Sequence, residues 1–96
     1  MTVSNTVVAF NHVNANPSSG QPFDPNPSSA VGGGVDVAGG TLTLNHSSVA
    51  GNFTLGTPSD ISVRDGGQVD PASANNLIGT GGSGGLVNGV NGNIVL

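Results

Sequence analysis

The 96-residue sequence contains no cysteine, tryptophan, tyrosine, lysine or glutamate, and Arg64 is its only arginine. The absence of cysteine excludes a disulfide framework and a cysteine-ligated zinc site. With a formal net charge of −4, the chain cannot neutralise nucleic-acid phosphates, and an anionic membrane surface would repel it. No apolar run reaches the length of a transmembrane helix, so we expect no nucleic-acid partner and no membrane insertion.

The length predicts a single small domain over residues 1–96. The first ten residues, "MTVSNTVVAF", lack the basic region and cleavage motif of a secretory signal, so no signal peptide is expected within this chain. The 17 glycines and 13 valines, together with many Thr and Asn residues, favour β-strands joined by tight turns over helices. Disordered chains normally have high net charge and few β-branched residues, so this composition indicates an ordered, all-β domain.

An internal repeat is visible at an offset of 41 residues. When "TLNHSSVAGNFT" (43–54) is laid over "TVSNTVVAFNHV" (2–13), apolar, small and Asn residues coincide, and His12 does not coincide with His46. Between the two copies, residues 14–30 hold four of the six prolines and cannot continue a strand ladder, which predicts a loop insertion. Without that loop the spacing is in the low-to-mid twenties, the length of one coil of a β-helix.

Two short segments after the loop alternate apolar and polar residues, with Val35 and Val37 in the first and Leu42 and Leu44 in the second. Gly39-Gly40 between them suits either a type I′ hairpin turn or a corner between successive sides of a coil. The repeat and the brevity of the strands favour the coil, and hence a right-handed parallel β-helix of about three coils. The residues expected to face its interior are Val3, Val8, Val35, Val37, Leu42, Leu44, Val49, Ile61, Val63, Leu77, Ile78, Val90, Ile94 and Leu96.

The segment "GGGVDVAGGTLTLNHSSVAGN" resembles the repeat of right-handed parallel β-helix proteins of bacterial surfaces and secretions. These are the pectate-lyase-like and polymorphic outer-membrane-type repeat proteins found, for example, in planctomycetes. "NNLIGTGGSGGLVNGVNGN", within the Gly/Asn-rich segment 75–96, is similar to the sequence that follows the last regular coils in that group. The resemblance covers residues 31–96 well and residues 2–13 loosely. It implies an extracellular or cell-surface parent protein acting as a stalk, an adhesin or a carbohydrate-contacting surface.

A carbohydrate-cleaving site on a β-helix would need clustered carboxylates and a basic residue. The candidates are Arg64, Asp65, Asp60 and Asp70. Arg64 and Asp65 are adjacent, however, and adjacent strand residues point to opposite faces, while Asp-Gly-Gly is typical of a turn. Asp36 provides too few oxygens for a calcium site, and the glycine-rich segment 79–85 lacks the lysine of a phosphate-binding loop. We therefore expect no catalytic, cofactor-binding or metal-binding residues and a protein that is not an enzyme.

The ends of a β-helix expose unpaired backbone groups above an apolar stack, and native proteins usually cover such edges. Neither end of this sequence contains a recognisable cap, and few charges oppose stacking. The sequence therefore predicts a structural, self-assembling element that forms homo-oligomers or fibres, through Val3, Val7, Ile94, Val95 and Leu96. The alternative is a carbohydrate-binding or adhesive module that uses the solvent face and the loop 14–30, with a glycan as partner, and a lyase or hydrolase ranks third.

Overall fold

The computed structural model describes residues 1–13 and 33–96, and over these residues the chain is all-β, without a helix. The loop predicted for residues 14–30 lies outside them. Short segments that carry apolar residues at alternate positions form the strands, and glycine and asparagine separate them. The strands are β1 (Thr2–Ser4), β2 (Val7–Ala9), β3 (His12–Val13), β4 (Val35–Ala38), β5 (Thr41–Asn45), β6 (Ser48–Ala50), β7 (Phe53–Thr54), β8 (Thr57–Pro58), β9 (Ile61–Arg64), β10 (Gln68–Val69), β11 (Leu77–Ile78) and β12 (Ile94–Val95).

Within residues 1–13 and 33–96, four small sheets bring together strands that are distant in sequence. Their strand orders are β1-β5-β10, β12-β11-β6-β2, β3-β7-β8 and β4-β9. All named pairs in the described residues are parallel except β7 with β8. Parallel neighbours require a long connection, and here that connection runs through the strands of the other sheets.

The strand register confirms the 41-residue offset seen in the sequence. Val3 is paired with Leu44, and Val8 and Ala9 are paired with Val49 and Ala50. His12 lies opposite Phe53 rather than opposite His46, as the overlay predicts.

Gly39-Gly40 joins strands of different sheets, so the hairpin interpretation of this dipeptide is wrong. β4 pairs with β9, whereas β5 pairs with β1 and β10. Both glycines have positive φ, 85° and 74°, a conformation that favours residues without a Cβ. A hairpin that the sequence did not predict occurs between β7 and β8, where Leu55 and Gly56 form the turn with positive φ.

The core lies between the sheets. Six of the predicted interior residues are buried, and Val3, Val8 and Val35 pack against them while partly buried. Val69 and Leu86 are also buried, although neither was predicted. Among the residues that the structure describes, the buried apolar side chains are Val37, Leu42, Leu44, Val49, Ile61, Val69, Ile78 and Leu86.

Four interior predictions are wrong, because Val63, Val90, Ile94 and Leu96 are exposed. In β12 the inward position belongs to Val95, which pairs with the buried Ile78 and packs against the core. Its neighbours on either side then point outward, since successive strand residues face opposite sides. Leu77 also lies on the outer side, next to the fully buried Ile78, and remains partly covered.

Candidate functional site

The outer edge of β1, β2 and β3 is the candidate site, since among residues 1–13 and 33–96 each of these strands pairs on one side only. Asn5 N–H donates to Asn45 O (3.1 Å), and Thr43 N–H donates to Met1 O (2.9 Å), so odd-numbered residues of this strand face β5. The backbone groups of Thr2 and Ser4 therefore point away from β5. We call this edge, formed by β1, β2 and β3, the open edge.

Exposed apolar side chains surround the open edge. Met1, Val7 and Phe10 are 77%, 74% and 83% exposed. The Phe10 ring lies against Gly51, where a Cβ would come within 3.3 Å of a ring carbon. No side chain between residues 1 and 13 carries a formal charge, with histidine counted as neutral. The edge thus lacks the charged residues with which natural edge strands resist pairing.

The structure separates the five predicted self-association residues into two groups. Val7, Ile94 and Leu96 are exposed, and the register places Val7 and Ile94 in one outward column of the β12-β11-β6-β2 sheet. Val3 and Val95 are partly buried, packed against the core at opposite ends of the stack. Only Val3 and Val7 belong to the open edge.

The C-terminal strand differs from the open edge because a side chain covers part of its outer side. Val95 N–H donates to Asn88 Oδ1 (3.0 Å), and the adjacent turn is closed by Asn93 N–H donating to Val90 O (3.0 Å). The expectation that both ends are uncapped is therefore wrong for β12. Ile94 and Leu96 remain exposed beside this cap.

Buried polar side chains form a column at the turn between β5 and β6, which we call the first polar corner. Each backbone N–H donates to a side-chain oxygen one strand layer later: Thr6 to Ser47 Oγ (3.3 Å), Ser47 to Asn76 Oδ1 (2.9 Å) and Asn76 to Asn93 Oδ1 (3.1 Å). The sequence spacings between these partners are 41, 29 and 17 residues. Layers of unequal length are thus held in register at one corner.

A second polar corner follows β2 and β6. Asn11 N–H donates to Asn52 Oδ1 (3.1 Å), and Asn52 N–H donates to Asp60 Oδ1 (3.0 Å). The other carboxylate oxygen of Asp60 accepts from Gly81 N–H (2.8 Å). Asp60 is only 1% exposed, and its partners are all neutral donors. This carboxylate consequently serves as an acceptor that connects two layers.

The structure does not bring the candidate residues for carbohydrate cleavage together in one site. Asp60 is enclosed in the second polar corner, and Asp70 accepts from the Thr43 hydroxyl (3.2 Å) and from a neighbouring backbone N–H. Arg64 and Asp65 are in contact at 3.4 Å, since Asp65 lies in the turn, but the closer partner of Arg64 is Asp36 at 2.8 Å. These groups form separate interactions rather than one site.

The ion pair between Arg64 and Asp36 joins β4 to β9 on the surface. The guanidinium reaches both carboxylate oxygens of Asp36, with distances between 2.8 and 3.1 Å. The hydrogen bond from Arg64 lowers the pKa of Asp36, and the same hydrogen bond raises the pKa of Arg64. Both groups are partly solvent-exposed, so this pair is a modest support for the strand pairing.

The two histidines occupy turn and edge positions. The His12 ring stacks on the Phe53 ring with centroids 5.2 Å apart and planes inclined by 12°. His46 has a positive φ of 52° at the first polar corner, and its Nε2 lies 3.5 Å from Asn75 Nδ2. Within the described residues, no group of three or more His, Cys, Asp or Glu side chains is placed to hold a metal ion.

The two polar corners were not predicted from the sequence, although the sequence contains a signal for the first. A left-handed residue precedes each of its members: Asn5, His46 and Asn75 have φ between 51° and 59°, and Gly92 has φ 72°. These four positions follow the same spacings as the corner itself. A turn residue followed by Thr, Ser or Asn, repeated in register, is the pattern that would have revealed the column.

Comparisons with known proteins add no relative. No protein-family model matches the sequence, and no curated protein or solved structure is significantly similar to it. In the part of the chain that the structure describes, no helix is long and apolar enough to cross a membrane.

Proposed function

We propose that the chain folds as a right-handed parallel β-helix of about three coils. The parallel registers at spacings of 41, 29 and 17 residues support this proposal, because each side of one coil would lie on the same side of the next. The first polar corner adds to this support, since buried asparagine columns satisfy turn backbone groups that no strand partner reaches. The resemblance to bacterial surface repeat proteins extends the proposal to an extracellular or cell-surface parent protein.

The function that we propose for this β-helix is structural and not enzymatic: the chain is a self-assembling element that associates with further copies of itself through its coil ends, into oligomers or fibres. The observation that carries this proposal is the open edge with its exposed Met1, Val7 and Phe10. Pairing of this edge would satisfy backbone groups and remove apolar surface from water in a single contact. Burial of apolar surface is worth about 25 cal/mol per Å², so three such side chains supply several kcal/mol before the cost of association.

The small core makes such pairing important for the fold. Domains of this size bury only about 60% of the surface that their unfolded chains expose, and repeat proteins need about three repeats for stability. In addition, the two outermost apolar residues of the first layer, Val3 and Val8, are only partly buried. A partner over the open edge would complete their burial and stabilise the first layer.

Light scattering and negative-stain microscopy over a dilution series test this function. We expect the particle mass to rise with protein concentration in the absence of any ligand. Val7→Lys places a charge beside the open edge and should weaken association. Val63→Lys is the matched control, because Val63 is also an exposed valine (43%) but lies in β9, which pairs with β4 and with no strand of the open edge. A folded monomer at all concentrations would contradict self-assembly.

A glycan-binding module is the second candidate, and the exposed Phe10 ring beside the Asn11 amide favours it. Sugar rings stack on exposed aromatic faces, while amide groups bind sugar hydroxyls. Thermal unfolding in the presence of neutral and acidic oligosaccharides tests this candidate. A shift that depends on the oligosaccharide and is lost in Phe10→Ala would support glycan binding. Equal melting temperatures with every oligosaccharide would contradict it.

A further inference from the structure

We propose that assembly stops at a closed two-fold dimer in which the open edges of two copies pair antiparallel. This inference rests on the proposed self-assembly and specifies the partner, a second copy of this chain, and its orientation. Head-to-tail stacking would join the open edge to β12 and could continue into fibres, whereas joining two open edges uses the same surface on both molecules and ends there.

The difference between the two ends argues against head-to-tail growth. A strand added outside β12 would need the outward backbone donors of that strand. The Val95 N–H is already bound to Asn88 Oδ1, and the Asn93 N–H is bound to Val90 O. A second molecule would have to displace Asn88 to reach the Val95 donor. At the open edge, by contrast, no described residue competes for the Thr2 N–H or for the Ser4 N–H.

The open edge is complementary to itself. With a two-fold axis beside Val3, Thr2 of one copy lies opposite Ser4 of the second copy in an antiparallel ladder. Thr2 and Ser4 each have an N–H directed outward, and each has a carbonyl on the same side. The two pairs would exchange four backbone hydrogen bonds. Thr6 Oγ1 already donates to Ser4 O (2.8 Å), but a carbonyl oxygen has a second lone pair for the new bond.

Side chains and charges permit this approach. Val3 would meet Val3 of the second copy across the axis, at the close spacing of a non-hydrogen-bonded antiparallel pair. No formally charged side chain lies within residues 1–13, and the described aspartates all come after residue 33. The terminal ammonium is the one formal charge at this edge, and it donates to Thr41 O (3.0 Å). Because the paired strands are antiparallel, the two ammonium groups lie at opposite ends of the contact.

Sedimentation velocity over a dilution series tests the closed dimer. For the unmodified chain we expect a monomer–dimer equilibrium with no larger species. Ser4→Pro removes the outward N–H of residue 4 but no hydrogen bond to β5. We expect it to raise the dissociation constant of the dimer at least tenfold. Val7→Lys provides a second variant should Ser4→Pro fail to fold, which circular dichroism will show. It should weaken the dimer through charge.

Asn88 provides a gain-of-association test. Asn88→Ala frees the Val95 N–H, so we expect species larger than the dimer to form. Asn91→Gly is the control: it removes a bond to Pro71 O (3.1 Å), keeps a residue that tolerates positive φ, and leaves the cap intact. Fibres from the unmodified chain would overturn the closed dimer while leaving self-assembly standing. A dimer unaffected by both edge variants would also overturn it, and a monomer throughout would refute self-assembly itself.

Discussion

Replacement of Asn76 by alanine is expected to remove a large part of the folding free energy. Asn76 is 2% exposed, and its side chain makes three hydrogen bonds. Its Oδ1 accepts from Ser47 N–H (2.9 Å), and its Nδ2 donates to Leu44 O (2.8 Å) and to Asn93 Oδ1 (3.0 Å). Asn76→Ala leaves the buried Ser47 N–H without an acceptor and deletes two further bonds. A buried donor left without an acceptor costs roughly 1–3 kcal/mol and each of the two lost bonds about 1 kcal/mol, so we expect a loss of about 3–5 kcal/mol.

Urea unfolding followed by far-UV circular dichroism measures this loss, since the chain has no tryptophan or tyrosine for fluorescence. Protein concentration must be low and constant, because association would add apparent stability. With a denaturant slope of about 1 kcal/mol per molar urea, the unfolding midpoint should fall by about 3–5 M, or the variant should be unfolded without urea. Asn91→Gly is the matched control, because it removes one exposed bond, tolerates the positive φ and should cost under about 1 kcal/mol. Equal midpoints for the two variants would refute the assignment of Asn76 as a structural centre of the first polar corner.

Three further predictions concern a buried carboxylate, a surface ion pair and two glycines. Asp60→Asn keeps the shape of the side chain, but its amide NH₂ group would face an N–H donor that the carboxylate now accepts from. The free energy of unfolding should therefore fall by about 2 kcal/mol. An unchanged urea midpoint would contradict the role of Asp60 as an acceptor. Arg64 lowers the pKa of Asp36, so their ion pair stabilises the fold above the ordinary carboxyl value of 3.8 and is lost as pH falls through the lowered pKa. Thermal unfolding between pH 6 and pH 2.5 should therefore show a smaller loss for Arg64→Gln than for the unmodified chain, and parallel curves would argue against the pair. At Gly67 a Cβ would collide with a backbone carbonyl oxygen of β4, whereas at Gly40 the space is open and only the positive φ opposes alanine, by about 1 kcal/mol. Gly67→Ala should therefore lower the stability of the fold more than Gly40→Ala does. The order of the two melting temperatures checks this.

The repeat and most of the core could be predicted from the sequence. The 41-residue overlay paired Val3 with Leu44 and Val8 with Val49, and both pairs are Cα partners in the structure. That success has a physical cause: strands that stack in parallel must repeat their inward positions, and branched apolar residues at alternate positions mark those positions. Gly39 was correctly identified as a turn residue, but whether the turn led to a hairpin or a corner depended on contacts far along the chain.

The polar corners and the last strand could not be predicted in the same way. Asn52 and Asn76 lie in turn-like, polar sequence, which normally indicates solvent, yet both are buried because neighbouring layers provide their hydrogen-bond partners. The sequence predicted that Ile94 and Leu96 of the last strand face the interior. The buried Asn93 instead fixes the start of β12 and places Val95 inside. Local periodicity does not show which of these residues is buried, because their burial depends on how one layer stacks on the next.

The direction of the bonds at the first polar corner sets an order in which the layers can be completed. The backbone donors of Thr6, Ser47 and Asn76 each depend on a side chain that lies later in the chain. The ribosome releases the N-terminal residues first, so each layer emerges before the acceptor that it needs. In a nascent chain halted before Asn76, the Ser47 N–H would therefore bond to water at this corner. Each layer thus gains its last hydrogen bonds at the first polar corner only after the next layer has been made.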